Sequence, residues 1–236
     1  PRMTEPAARP FPLEADKAAR ATVANPVPAE PPQGASGRIE KRVRVETPKE
    51  RAEQHYRKAY SQLSAGRLDE AVSLLRSALA EDAAHVSARL ALAGALSQSG
   101  RTEEALALLS EGLQLDPSRP ALALSAARLF VAKGNFDAAV KVLTRAAPSA
   151  RADAEFRAFH AAVLQRLTLH KDAVTEYQAA LRLAPQAGVW WMGLGISLEA
   201  DGRGAEAREA FQRARSSGAL SAELDRFVEQ KLRQLQ

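Results

Sequence analysis

The stretch "VWWMGLGISLEADGRGAEAREAFQRA" (Val189–Ala214) admits two opposite readings. Adjacent tryptophans are unusual in a chain with 5% aromatic residues, and the GxG that follows them opens a phosphate-binding pattern. A dinucleotide loop, however, needs a strand before the glycines and a helix after them. No strand pattern precedes Gly193, and the glycines fall inside a helical run. The alternative is a helical hairpin, with Gly202 at its turn and small residues where two helices touch.

Moving outward from this stretch decides between the two. Ala207 is the last of a series at Ala71, Ala105, Ala139 and Ala173, each separated by 34 residues. Ala214 ends the series Ala78, Gly112, Ala146, Ala180. Gly195 ends Ala59, Ala93, Ala127, Ala161, and Phe211 ends Leu75, Leu109, Leu143, Tyr177. Turn glycines recur at Gly66, Gly100, Gly134 and Gly202, with Thr168 interrupting them. In Val86–Gly100 and Thr102–Asp116 the apolar residues fall at i, i+3, i+4 and i+7, the mark of amphipathic helices. Small residues let paired helices approach to about 8–10 Å, and the large residue fills the space between units. The four prolines beyond residue 50 (Pro117, Pro120, Pro148, Pro185) sit at unit junctions, where no interior hydrogen bond is lost.

A 34-residue period with these small, large, turn and proline positions resembles the tetratricopeptide repeat (TPR). Trp191, Leu194 and Gly195 match that family's tryptophan–leucine–glycine opening. The resemblance implies an all-α, right-handed superhelical solenoid of five helix-turn-helix units at 52–85, 86–119, 120–153, 154–187 and 188–221. The segment 222–236 places Leu224, Phe227, Val228, Leu232 and Leu235 on one face and charge on the other, as a capping helix would.

Residues 1–50 differ in kind. They hold nine of the 13 prolines, and "NPVPAEPPQGASG" has no periodic apolar face. Such a stretch buries too little apolar surface to offset its ordering entropy, so a disordered, partly extended linker is expected. A basic lead-in, "GRIEKRVRVETPKERAE", follows. Thr47, Pro48 and Glu50 then predict a helix start with a capping box.

Composition excludes further classes. With 46% hydrophobic and 26% charged residues the chain is of ordinary globular type. Nothing approaches the ~18 consecutive apolar residues of a membrane span. The chain starts at Pro1, which leaves room for a targeting or membrane segment upstream. It has no cysteine, so thiol chemistry and disulfides are out. The net charge of +5 is spread along the chain and does not form a basic stripe, which argues against a nucleic-acid partner. His55, His85, His160 and His170 lack metal-ligand spacing. His160 reads as a core histidine, and His170 as part of a variant turn beside Thr168. No phosphate loop or nucleophile elbow occurs, so the expectation is a non-enzyme with no metal or cofactor.

In a superhelical array the first helix of each unit lines the concave face. That face should carry Tyr56, Tyr60 and Leu63, then Leu90, Gly94, Ser97 and Gln98. It continues with Leu124, Arg128 and Val131, then Ala158, Ala162, Gln165 and Arg166, and ends with Met192, Ile196 and Glu199. The lysine–asparagine clamp of chaperone-tail binders is missing at these positions. An apolar groove with scattered arginine and glutamine suits an amphipathic helix or an extended apolar peptide. The competing reading packs these residues against the chain's own N-terminal segment or a second copy.

The order of proline-rich stalk, basic lead-in, five units and charged tail also resembles the TPR protein of the mannose-sensitive haemagglutinin (MSHA) type IV pilus system of Gram-negative bacteria. That resemblance implies a periplasmic repeat domain, held to the inner membrane by an upstream helix, which scaffolds pilus assembly and binds pilus or secretin components. A cytoplasmic chaperone or regulatory adaptor, and the TPR region of a larger enzyme, are the alternatives.

Overall fold

The computed structural model describes residues 46–235; the expected linker, apart from its last five residues, lies outside them. Eleven α-helices follow one another: α1 (Pro48–Ser64), α2 (Leu68–Glu81), α3 (Val86–Gln98), α4 (Thr102–Leu115), α5 (Pro120–Ala132), α6 (Phe136–Ala146), α7 (Ala154–Arg166), α8 (His170–Leu183), α9 (Gly188–Ala200), α10 (Gly204–Ser216) and α11 (Ala222–Gln234). A single 3-10 turn, Ala147–Ser149, follows α6. The fold is an all-α TPR-like solenoid.

Local chemistry starts these helices. The capping box of α1 forms: Glu50 donates its backbone N–H to Thr47 Oγ1 at 3.2 Å, and Thr47 N–H donates to Glu50 Oε2 at 2.8 Å. Asn135, Asp153 and Ser221 cap α6, α7 and α11 by accepting from Ala138, Phe156 and Leu224 N–H. His85 caps α3 through Nδ1, which accepts from Ala88 N–H at 3.2 Å. Nδ1 therefore carries no proton, and Nε2–H is left to donate to Glu53 Oε2 at 3.2 Å.

Four hairpin turns place glycine at positive φ: Gly66 at 73°, Gly100 at 77°, Gly134 at 75° and Gly202 at 78°. Thr168 stands in the same conformation at 58°. Its turn closes like the others, with Thr168 N–H on Gln165 C=O and Leu169 N–H on Leu164 C=O, both at 3.0 Å. The variant turn expected there is thus an ordinary one held by the wrong residue type. His170 does not belong to it, because it is the first residue of α8.

Packing follows the small–large register. Leu75, Leu109, Leu143 and Phe211 are fully buried and Tyr177 nearly so, each contributing about 1.5–3 kcal/mol of burial. A Cβ on Gly195 would stand 2.8 Å from Phe211 Cε1, so glycine leaves room for the Phe211 ring in the fifth unit. Gly193 makes room for Tyr177 in the same way, its added Cβ falling 2.6 Å from the phenol oxygen. Gly112 does so for Arg89, whose stem lies over it while Leu122 Cδ1 is 2.9 Å from the same point.

Each helix packs on its chain neighbours, and α3–α5, α5–α7 and α7–α9 also touch. Among the described residues no pair of even-numbered helices meets so extensively. The odd helices therefore form the tighter, inner side, and the even helices splay outside. Helix α11 docks on α10 through Val228 and Leu232 and reaches α9 through Lys231, whose Nζ pairs with Glu199 at 2.9 Å.

Candidate partner-binding surface

One position per odd helix repeats along the inner side: Tyr56, Leu90, Leu124, Ala158 and Met192. All but Ala158 are half-buried. Ala158 is buried, so it belongs to the core and not to the groove. Its methyl is too short to reach past its neighbours. Tyr56 stacks at 5.3 Å on His85. Tyr60, one turn on, is 57% exposed. Leu63, Ser97 and Val131 are half-buried, and Gln98 is exposed. Gly94 stands mid-helix in α3, and a Cβ there would meet no atom of another helix within 4 Å among the described residues.

The later half of the same side is engaged internally. Arg128 pairs with Glu155 and lies over the Phe159 ring at 5.8 Å, tying α5 to α7. Gln165 is a clamp. Its amide donates to Gly193 C=O at 3.1 Å and to Ser197 Oγ at 3.0 Å, and its oxygen accepts from Tyr177 Oη at 3.3 Å. Burial pushes the Tyr177 phenol well up, so it stays a donor. Arg166 lies over the Phe136 ring at 5.3 Å, and Glu199 is taken by Lys231. Met192 and Ile196 pack on the C-terminal cluster, as Tyr56, Leu63 and Leu90 pack on the first cluster and Leu124 and Val131 on the middle one, and Ala162 is half-buried. The polar residues Arg128, Gln165, Arg166 and Glu199 of the inner side are thus engaged between helices, while Tyr60 on α1 stays exposed.

Sequence reasoning missed the outer side. Trp191, read as a packing residue, is a half-buried wall of a cleft between α8 and α10. Its Nε1–H donates to Pro185 C=O at 2.8 Å, and Arg213 stacks on it at 4.8 Å. Leu194 and Leu198 line the same cleft, and Glu206 and Glu209 stand at its rim. The even-helix residues read in the 34-residue register carry the signal that would have found it.

His160 is buried between α6 and α7. Nε2 meets Thr144 Oγ1 at 3.2 Å, and Nδ1 has no partner among the described residues. Burial lowers its pKa from the usual value, nearby Glu176 opposes that, and Arg157 adds to it. The Arg157–Glu176 pair beside it is mostly buried at 2.9 Å. Among the described residues no group of three or more His, Asp or Glu is placed to hold a metal. None of their helices is long and apolar enough to cross a membrane.

One tetratricopeptide repeat family model matches residues 62–112 and 96–163, and a second matches 160–222. The chain belongs to the tetratricopeptide repeat family. As a TPR protein it is a non-enzymatic scaffold for protein–protein interaction. Among solved structures it is similar to MamA from AMB-1, at 27% identity and a TM-score of 0.60 over 74% of this chain and 96% of that one. Another MamA structure is 19% identical with a TM-score of 0.61, covering 71% of this chain and 92% of that one. YrrB, described as a TPR protein with an unusual peptide-binding site, is 17% identical with a TM-score of 0.60 over 70% and 86%. The 19% and 17% matches support the fold alone. No curated protein matches the sequence.

Proposed function

We propose that this TPR scaffold captures an amphipathic helix or extended apolar segment of a partner on the inner side of α1, α3 and α5. The observation that carries this reading is the row Tyr56, Leu90 and Leu124, one residue per helix, beside exposed Tyr60. Open Gly94 supports it. A mid-helix glycine costs about 0.5–1 kcal/mol against alanine, and no packing among the described residues offsets that. A partner's side chain laid across the bare backbone would.

The cellular setting we propose is assembly of an MSHA-type type IV pilus or a related secretion apparatus. The repeat domain would stand in the periplasm, held to the inner membrane by a segment upstream of residue 1. The proline-rich stalk, basic lead-in and charged tail support this reading. Replacing Tyr60, Leu90 and Leu124 together by Asp should abolish partner capture in cross-linking from the native cell, with helicity retained by circular dichroism. Undiminished capture would refute the inner-face reading. Protease accessibility of the repeat domain in spheroplasts tests the location: protection there rules out the periplasm.

A further inference from the structure

The outer surface contains the α8–α10 cleft a second time, two repeat periods earlier, between α4 and α6. The earlier cleft measures 460 Å³ against 380 Å³ for the later one. Leu113 and Phe130 stand where the later cleft has Leu181 and Leu198, and Pro117 where it has Pro185. Three of the differences bear on what the cleft can hold. Fully buried Ala123 replaces Trp191 and does not line the earlier cleft, whose wall instead carries the Phe130 ring. Ala138 replaces Glu206, and Lys141 replaces Glu209. Arg145 matches Arg213, but among the described residues it lies over no ring, although Phe130 lines the same cleft.

The change at Ala138 is specific to one unit. The other four carry an acid there: Glu70, Glu104, Asp172 and Glu206. Three of these acids pair with an arginine three residues before them, Arg67, Arg101 and Arg203. Only the third unit lacks the carboxylate, and it adds Lys141 beside the gap. Neither Lys141 nor Arg145 has an ion pair or hydrogen bond among the described residues. Nearby carboxylates are engaged elsewhere, Glu103 by Lys133, Glu111 by Arg89 and Asp116 by Arg119. Asp137, one turn before Lys141, makes no pair with it. Arg145 in the last turn of α6 suits the helix dipole, but that does not account for Lys141.

We propose that the α4–α6 cleft docks an acidic segment of a partner protein through an aromatic side chain. The ring would enter the apolar part of the cleft beside Leu113, Phe130 and Val142 and give Arg145 the face that Arg213 already has. Carboxylates flanking the ring would supply what the third unit lacks, against Lys141 and Arg145. In the later cleft Arg213 already lies on Trp191, and Glu206 and Glu209 supply carboxylates. This outer site is separate from the inner row, and neither reading depends on the other.

The test uses the full chain and three fluorescein-labelled peptides, EEWEE, EEAEE and KKWKK, read by anisotropy. EEWEE should bind saturably and weaken with added salt, while EEAEE and KKWKK bind weakly or not at all. Ala138→Glu restores the acid found in the other units and favours the first turn of α6, so the fold should hold. It should weaken EEWEE about tenfold, and Lys141→Glu with Arg145→Glu should do the same. The inner-face change Leu90→Asp with Leu124→Asp should leave EEWEE binding unaltered. Equal binding of EEWEE and KKWKK, no saturable EEWEE binding, or indifference to Ala138→Glu in a folded protein would each overturn the proposal. Loss of binding only in the inner-face variant would move the peptide to the other surface and overturn it as well.

Discussion

At the scale of the residue, Thr168 shows how a repeat fold overrides local preference. A β-branched side chain at positive φ is strained, costing roughly 1–2 kcal/mol, yet the hairpin between α7 and α8 imposes it. Thr168→Gly should therefore raise stability by about 1 kcal/mol, read as a higher denaturant midpoint at constant slope. A lower midpoint would mean that the threonine side chain makes up for its backbone. Gln165 illustrates the opposite limit of legibility. In sequence it is a polar residue on an inner helix, a natural partner contact. In space its amide is consumed by Gly193 and Ser197 on the next unit. No local pattern announces a partner 28 or 32 residues away.

At the scale of the element, the seam between α6, α7 and α8 holds a histidine that folding keeps neutral. The folded state lowers the pKa of His160 through burial, so between that lowered value and the ordinary 6.5 the unfolded chain binds the extra proton. Stability is then complete above 6.5 and falls as pH drops below it. Thermal melts at pH 7.5 and pH 5.5 should show a larger loss for the native chain than for His160→Gln, which cannot charge. Equal losses would assign the acid sensitivity to carboxylates. The groove belongs to this scale too. Its row of large residues could be read from the 34-residue register. That Arg128, Arg166 and Glu199 are engaged by Glu155, Phe136 and Lys231 could not, because each pair joins different helices.

At the scale of the molecule, the described solenoid is a chain of nearest-neighbour contacts with a cap on one end. Such arrays unfold unit by unit when an end is loosened. Val228→Asp would bury an unpaired charge at the α11 contact, where Val228 is fully enclosed. Hydrogen exchange should then show lost protection in α9, α10 and α11, while α1 to α4 keep theirs. A uniform loss would mean that the whole array folds as one unit.

By itself the sequence determined the helical hairpins, their register and the family. Those features repeat every 34 residues and depend on local spacing, capping and side-chain size. That Gly195 leaves room for the Phe211 ring took the tertiary structure, because the equivalent pair one unit earlier is Ala161 with Tyr177. Only the tertiary structure decided which polar residues remain available. It tied Gln165, Arg128 and Glu199 into contacts between units. It also showed that the opening Trp191 walls an outer cleft whose earlier copy has no counterpart of that side chain and is lined by Phe130 instead. Those outcomes depend on which side chains meet across separate helices, and a one-dimensional register does not contain that.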